Sequence, residues 1–150
     1  MTFEEKINEE LKLATKSGDK VRLETIRSIR AAIIEFKKSG IGRDMNTDDE
    51  LKILGNQAKK RKDAIEMFEK GNRFDLVEKE KAELAIIEEF LPKQLSDNEI
   101  MNICKKIVND SGVTHVKDFG KVMGLAMKEL KGKADGSKVQ AILKSLLSSE

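Results

Sequence analysis

The chain has 150 residues, 37% of them charged and only 4% aromatic, with no Trp or Tyr, and its formal net charge is +2. That length suits one domain or two small ones with a real core, the scarcity of aromatics argues against a sheet protein, and the near-balanced charge excludes a general polyanion binder. A single cysteine excludes an intrachain disulfide; with no apolar run of membrane-spanning length and no signal-peptide pattern, the expectation is a cytoplasmic protein with no membrane contact.

Thr2-Phe3-Glu4-Glu5 has the form of a capping box, and Phe3, Ile7, Leu11 and Ala14 space the buried stripe of a first helix. Ser17-Gly18-Asp19 breaks it. A second helix reaches about Ser39, with Ile26, Ile29, Ile33 and Phe36 at the spacing of a bundle seam. Gly40 to Asn46 reads as a polar loop. Thr47-Asp48-Asp49-Glu50 predicts a second capping box and a third helix that buries Leu51, Leu54, Ala58, Ile65 and Phe68 before Gly71. A fourth helix, from about Arg73 to Glu89, turns Val77, Leu84, Ile87 and Leu91 inward. Four helices with short links predict an up-and-down bundle.

Pro92 is the one proline, and the residue before a proline is pushed out of helical backbone, so it marks a boundary between domains 1–92 and 93–150. Ser96-Asp97-Asn98-Glu99 opens a fifth helix with Ile100, Ile103, Cys104, Ile107 and Val108 on one face, and Gly112 ends it. A sixth helix starts near Val116; Val116, Phe119, Met123, Ala126, Met127 and Leu130 form its apolar arc, Gly120 and Gly124 lie on one edge, and Lys117, Lys121, Lys128 and Lys131 cluster just beyond. Glycine inside a helix costs about 1 kcal/mol relative to alanine, which leaves two readings of the pair: a tight helix crossing or a shelf for a ligand. A turn through Gly132, Lys133, Ala134, Asp135 and Gly136 leads to a last helix with Val139, Ile142, Leu143, Leu146 and Leu147 inward. With Asp135 or Ser137 as its N-cap, that helix brings N–H groups beside Lys131, Lys133 and Lys138, either as an anion site or as an ordinary lysine-rich turn. The expected fold class is all-α, an N-terminal antiparallel helical bundle followed by a small three-helix C-terminal domain. Basic charge concentrates in the second part: residues 93–150 carry 10 Lys+Arg against 7 Asp+Glu, while residues 1–92 carry 19 against 20.

No catalytic constellation emerges. Cys104 lies on an apolar face and reads as a core filler, and His115 reads as a cap or surface residue without a nucleophile to serve. One His and one Cys do not make a zinc site, and the Gly132–Lys138 turn fails the phosphate-loop pattern and follows no strand. No catalytic residue, metal or cofactor is expected. Lys59-Lys60-Arg61-Lys62 is the strongest basic run, with Lys59 and Lys60 outward and no aromatic interleaved to stack a base.

Thr25-Ile26-Arg27-Ser28-Ile29, Lys60 to Phe68 (KRKDAIEMF), Phe90-Leu91-Pro92-Lys93-Gln94-Leu95-Ser96, Lys117 to Gly124 (KDFGKVMG) and Lys131 to Gly136 (KGKADG) occur in an order and spacing that resemble the GatB/YqeY family over essentially the full length. The last 58 residues or so also resemble the tail domain of the B subunit of glutamine-dependent aminoacyl-tRNA amidotransferases. The resemblance implies a helical two-domain fold and a link to tRNA, which such tails dock. It also implies an association with carbon–nitrogen ligase chemistry using glutamine as amido donor, although nothing here resembles the amidotransferase's catalytic domain. The candidate tRNA contacts are Gly120, Lys121, Gly124, Lys128, Lys131, Gly132, Lys133, Gly136 and Lys138. The expected partners are tRNA and amidotransferase subunits, with no DNA. A tRNA-binding module without catalysis is the leading reading; an auxiliary amidotransferase component and a protein–protein adaptor are the alternatives.

Overall fold

The helices begin where a side chain can take an N–H that the first turn leaves without a partner. Thr2 and Ser96 cap Phe3–Ser17 (α1) and Asp97–Ser111 (α5), each accepting from the residue three positions on, while Glu5 and Glu99 return the bond. The box at the start of Thr47–Lys70 (α3) sits one residue earlier than the sequence suggests, on Asn46 and Asp49. The register is decided by Asp49, which bonds back to the Asn46 N–H and also binds Arg43 through both carboxylate oxygens. Arg43 above all, and then the Asn46 N–H, hold the Asp49 carboxyl down at about 2, so the stability it contributes is present above the usual aspartate range and is lost as pH falls towards that value. The remaining helices are Lys20–Lys38 (α2), Phe74–Glu88 (α4), Phe119–Leu130 (α6) and Gly136–Leu146 (α7). This computed structural model describes residues 1–149, and among them there is no strand and no helix long and apolar enough to cross a membrane.

The chain divides into two compact units, Met1–Leu91 and Pro92–Glu150. In the first, α1 and α2 form one helical hairpin and α3 and α4 another, the latter turned by Gly71, Asn72 at φ 58° and Arg73. Helix α2 is the middle element: it packs on α1 and on α4, and more lightly on α3. Ile7, Ile26, Ile29, Ile33, Leu54, Ala58 and Ile87 make the core, as the helical spacing predicts. Arg22 ties three helical segments at its edge, reaching Glu10 and Glu89 at 2.8 Å each.

Three polar residues are buried in this unit: Thr25, Gln57 and Glu83. The Thr25 hydroxyl donates to the Val21 carbonyl one turn back, and Ser28 donates to Gln57 Oε1 at 2.8 Å. Glu83 is the costly one. Its Oε2 lies 2.8 Å from Arg61 Nη1, which also meets Glu80 at 3.2 Å, yet neither Glu83 Oε2 nor Arg61 Nε makes a directed hydrogen bond. Burial pushes the Glu83 carboxyl above its ordinary value, and Arg61 opposes that push. Arg61 therefore points inward from the basic run, whereas Lys59 and Lys60 are exposed.

In the second unit α5, α6 and α7 pack pairwise around Ile100, Cys104, Val122, Ala126, Leu130, Val139 and Leu143. A 3-10 turn, Val116–Asp118, precedes α6, and His115 Nδ1 caps it by accepting the Lys117 N–H at 3.0 Å. Beyond α7 the chain returns to this turn: Ser148 donates to the Thr114 carbonyl and accepts from the Val116 N–H, both at 2.8 Å. At the unit's other end, Gln94 donates to the Gly132 carbonyl at 2.7 Å and the Leu95 N–H donates to the Lys133 carbonyl at 3.0 Å, so the entry segment is pinned to the α6–α7 turn.

Each unit has its own buried core, so residues 1–91 and 92–149 expressed apart are expected to melt cooperatively by circular dichroism, the smaller with lower stability because a short chain buries less of its surface. Non-cooperative, denaturant-insensitive signals from both pieces would show that neither core suffices.

Candidate nucleic-acid interface

Helix α6 buries Val122, Ala126 and Leu130 and half-buries Phe119, Met123 and Met127. At 100° per residue, the opposite side collects Gly120, Gly124, Lys128, Lys121 and Lys131 within an arc of about 100°. Gly120, Gly124, Lys121, Lys128 and Lys131 are all exposed. The stripe runs about 16 Å along the helix from Gly120 to Lys131 at 1.5 Å per residue. No carboxylate forms an ion pair with Lys121 or Lys128 among the described residues, and Glu129 sits on a different face. At its start, Lys117, Gly120 and Lys121 line a shallow depression of about 570 Å³ with Ser111, Gly112 and Thr114.

The two helix glycines face open space: a Cβ built at Gly120 or Gly124 meets nothing within 4 Å. No helix of the described chain crosses closely there, so the packing within each unit supplies no reason for the missing side chains. What the glycines do is lower the helix surface between flanking lysines into a smooth track.

The turn beyond α6 is differently built. Gly132 has φ 77°, a left-handed backbone that favours glycine, and its carbonyl is held by Gln94. Gly136 opens α7 with ordinary room, since its Cβ would come only within 3.9 Å of Met127 Cε. The α7 N-terminus already holds an anion: Asp135 is the N-cap and accepts the Ser137 N–H at 2.9 Å. Lys138 is drawn to Asp97 at 2.7 Å, while Lys133 is exposed. The nine candidate residues thus fall into two groups, a stripe along α6 and a rigid turn at its far end whose anion-binding capacity is partly taken by the chain's own aspartates.

Cys104 is fully buried, and burial raises its thiol above the ordinary range, which disfavours the reactive thiolate. His115 is engaged as a cap. No group of three or more His, Cys, Asp or Glu among the described residues is placed to hold a metal ion.

Comparison with known proteins adds relatives. "Altered inheritance of mitochondria protein 41, mitochondrial" of Pyrenophora tritici-repentis is 33% identical over 133 residues, covering 86% of this chain and 71% of the relative. The protein of the same name from Lachancea thermotolerans is 34% identical over 85 residues, 57% of this chain and 46% of its own length. An uncharacterized protein of Schizosaccharomyces pombe is 36% identical over 92 residues, 61% of this chain and 73% of its own length. These names correct the expectation of a cytoplasmic protein: two of the relatives are named as mitochondrial, which points to mitochondria and away from a general cytoplasm. The expectation rested on the absence of a long apolar run, which carries no information about import by other signals. The family described as YqeY-like protein matches residues 4–147, nearly the whole helical architecture set out above, and the chain belongs to that family.

Proposed function

We infer that the chain is a non-catalytic RNA-binding module that docks the sugar–phosphate backbone of tRNA along α6. The observation that carries this reading is the pair of helix glycines facing open space between exposed lysines. Lys121 and Lys128, which no carboxylate of the described residues pairs with, attract phosphates, and glycines let a backbone approach a helix closely. Base edges are not read in this arrangement, so the recognition is of backbone shape.

The reading is tested by titrating labelled tRNA at several salt concentrations. Log affinity is expected to fall linearly with log salt, by roughly 0.7–0.9 per phosphate contact. Salt-independent binding, or none, would leave the exposed α6 track to a partner helix instead. The glycines give a second expectation. Gly120→Ala and Gly124→Ala add methyl groups into open space, so each should stabilise the protein by up to about 1 kcal/mol while weakening tRNA binding. Variants that gain stability and bind tRNA as before would remove the glycine track from the interface.

A further inference from the structure

Helix α1 supplies carboxylates to α2 at two places: Glu10 meets Arg22 and Glu4 meets Lys37. The stretch of α2 between them receives none. There a shallow groove of about 370 Å³ is lined by Leu11 and Thr15 from α1 and by Arg27, Arg30, Ala31 and Ile34 from α2. No carboxylate lines it, and none among the described residues pairs with Arg27 or Arg30. Arg30 spends only its Nε, which donates to Asn8 Oδ1 at 3.1 Å, and the Thr15 hydroxyl is turned back onto the Leu11 carbonyl. Both arginines are exposed, and Ile34 is 38% exposed between them and the end of the helix.

Arg27 is the informative residue. In the segment Thr25–Ile29 the side chains of Thr25, Ile26 and Ile29 are buried and Ser28 is bonded to Gln57, so packing accounts for every residue there except Arg27. At 100° per residue, Lys20, Leu23, Arg27, Arg30, Ile34 and Lys38 share an arc of about 80° on α2, while Glu24 and Glu35 fall outside it. Glu24 is drawn instead to Lys79 on α4 at 3.5 Å. A charged helix surface ordinarily alternates cations with carboxylates; this stripe alternates cations with aliphatic side chains. Like charges one turn apart repel, so the stripe is complementary to an anionic partner, and its aliphatic floor is complementary to an apolar one.

We propose that the groove between α1 and α2 seats an acidic amphipathic helix of a partner protein, with its aliphatic side chains on Leu11, Ala31 and Ile34 and its carboxylates, one turn apart, on Arg27 and Arg30. A guanidinium fork takes a carboxylate through two parallel hydrogen bonds. Arg27 and Arg30 stand about 4.5 Å apart along the axis, a spacing that acidic residues three or four positions apart on a facing helix match. An RNA strand suits the surface less well. No aromatic lines the groove for a base to stack on, and phosphates brought to the arginines would lie against aliphatic carbon, which offers them no hydrogen bond. The site lies in the first unit and does not rest on the α6 reading.

The test uses the full-length, isotope-labelled protein, nuclear magnetic resonance and a stapled helical peptide of about four turns, with leucines along one face and glutamates one turn apart beside them. The peptide is expected to shift the Leu11, Ala31 and Ile34 methyl signals and to leave Val139 and Leu143, in the core of the second unit, unmoved. Arg27→Glu/Arg30→Glu should weaken it about tenfold or more with an unchanged melt, since both positions are exposed. A peptide with lysines in place of its glutamates should prefer that reversed variant to the parent. Ile34→Ser, which keeps both arginines, should also weaken the original peptide. A peptide of the same composition with its leucines dispersed, shifting the same signals as strongly, would overturn the proposal in favour of diffuse charge attraction. A single-stranded RNA or vesicles of anionic lipid that shift these signals where the peptide does not would overturn it in favour of a nucleic acid or a membrane surface. The two readings fail separately: a peptide in the groove of a chain that does not bind tRNA upholds the groove and sinks the α6 function, and tRNA binding along α6 with an unshifted groove does the reverse.

Discussion

Replacing Arg61 with methionine is expected to destabilise the first unit by about 3–5 kcal/mol, because it leaves Glu83 buried without a compensating charge. Glu83 is 4% exposed, and Arg61 is the cation that reaches its carboxylate. Denaturant unfolding near neutral pH reads the loss directly. The pH dependence gives a second check, with its sign set by the direction of the shift. Burial already raises the Glu83 carboxyl above 4.5, and removing Arg61 raises it further. A raised carboxyl holds its proton more tightly when folded than when unfolded, so the variant should be relatively most stable in acid and lose ground as pH rises through the folded value. The double variant Arg61→Met/Glu83→Leu removes both charges and should recover most of the deficit. A double variant as unstable as the single one would show that packing, and not the stranded carboxylate, is responsible.

The second large effect concerns tRNA. Changing Lys117, Lys121 and Lys128 to alanine should weaken binding on the order of a hundredfold at about 0.1 M salt and lower the salt slope by roughly 2–3, if each lysine meets one phosphate. Different tRNAs should lose affinity alike, since phosphate contacts carry no sequence information. All three positions are exposed, so the melt should stay within about 0.5 kcal/mol of the parent. A control with Lys12, Lys16 and Lys20 changed, likewise exposed, should bind almost normally. Equal loss in the two triple variants would mean diffuse attraction to charge and would dismiss α6 as the docking site.

The helices and most of their buried stripes are legible in the sequence because apolar residues at three- and four-residue spacing have one way to be covered. Ile7, Ile26, Ile29, Ile33 and Ile100 are read correctly for that reason. What escapes is polar residues that go inside. Glu83 sits among alternating charges on α4, a pattern that normally marks a solvated face, and only its distance to Arg61 on another helix reveals the pairing. Thr25 and Ser28 interrupt an isoleucine-rich stripe, which hints at a polar seam, but Gln57 as the partner of Ser28 comes from tertiary packing alone. Val122 lies outside the expected apolar arc because that arc takes in Val116, which belongs to the 3-10 turn and not to α6; within Phe119–Leu130, Val122 shares a face with Ala126 and Leu130. Within the candidate interface, the lysines and glycines of α6 are visible from spacing, whereas the Asp97–Lys138 pair joins residues 41 positions apart and leaves no local trace.

The bonds from Ser148 to Thr114 and Val116 have a consequence for the newly made chain. The turn that aims the start of α6 is tied by a residue synthesised about thirty positions later than itself. While the second unit is still emerging from the ribosome, α6 can coil but its first turn is not yet clamped, and the lysine track is not yet set beside its depression. The start of α6 therefore takes its final setting only after Ser148 has been made and has folded back onto the Thr114–Val116 segment.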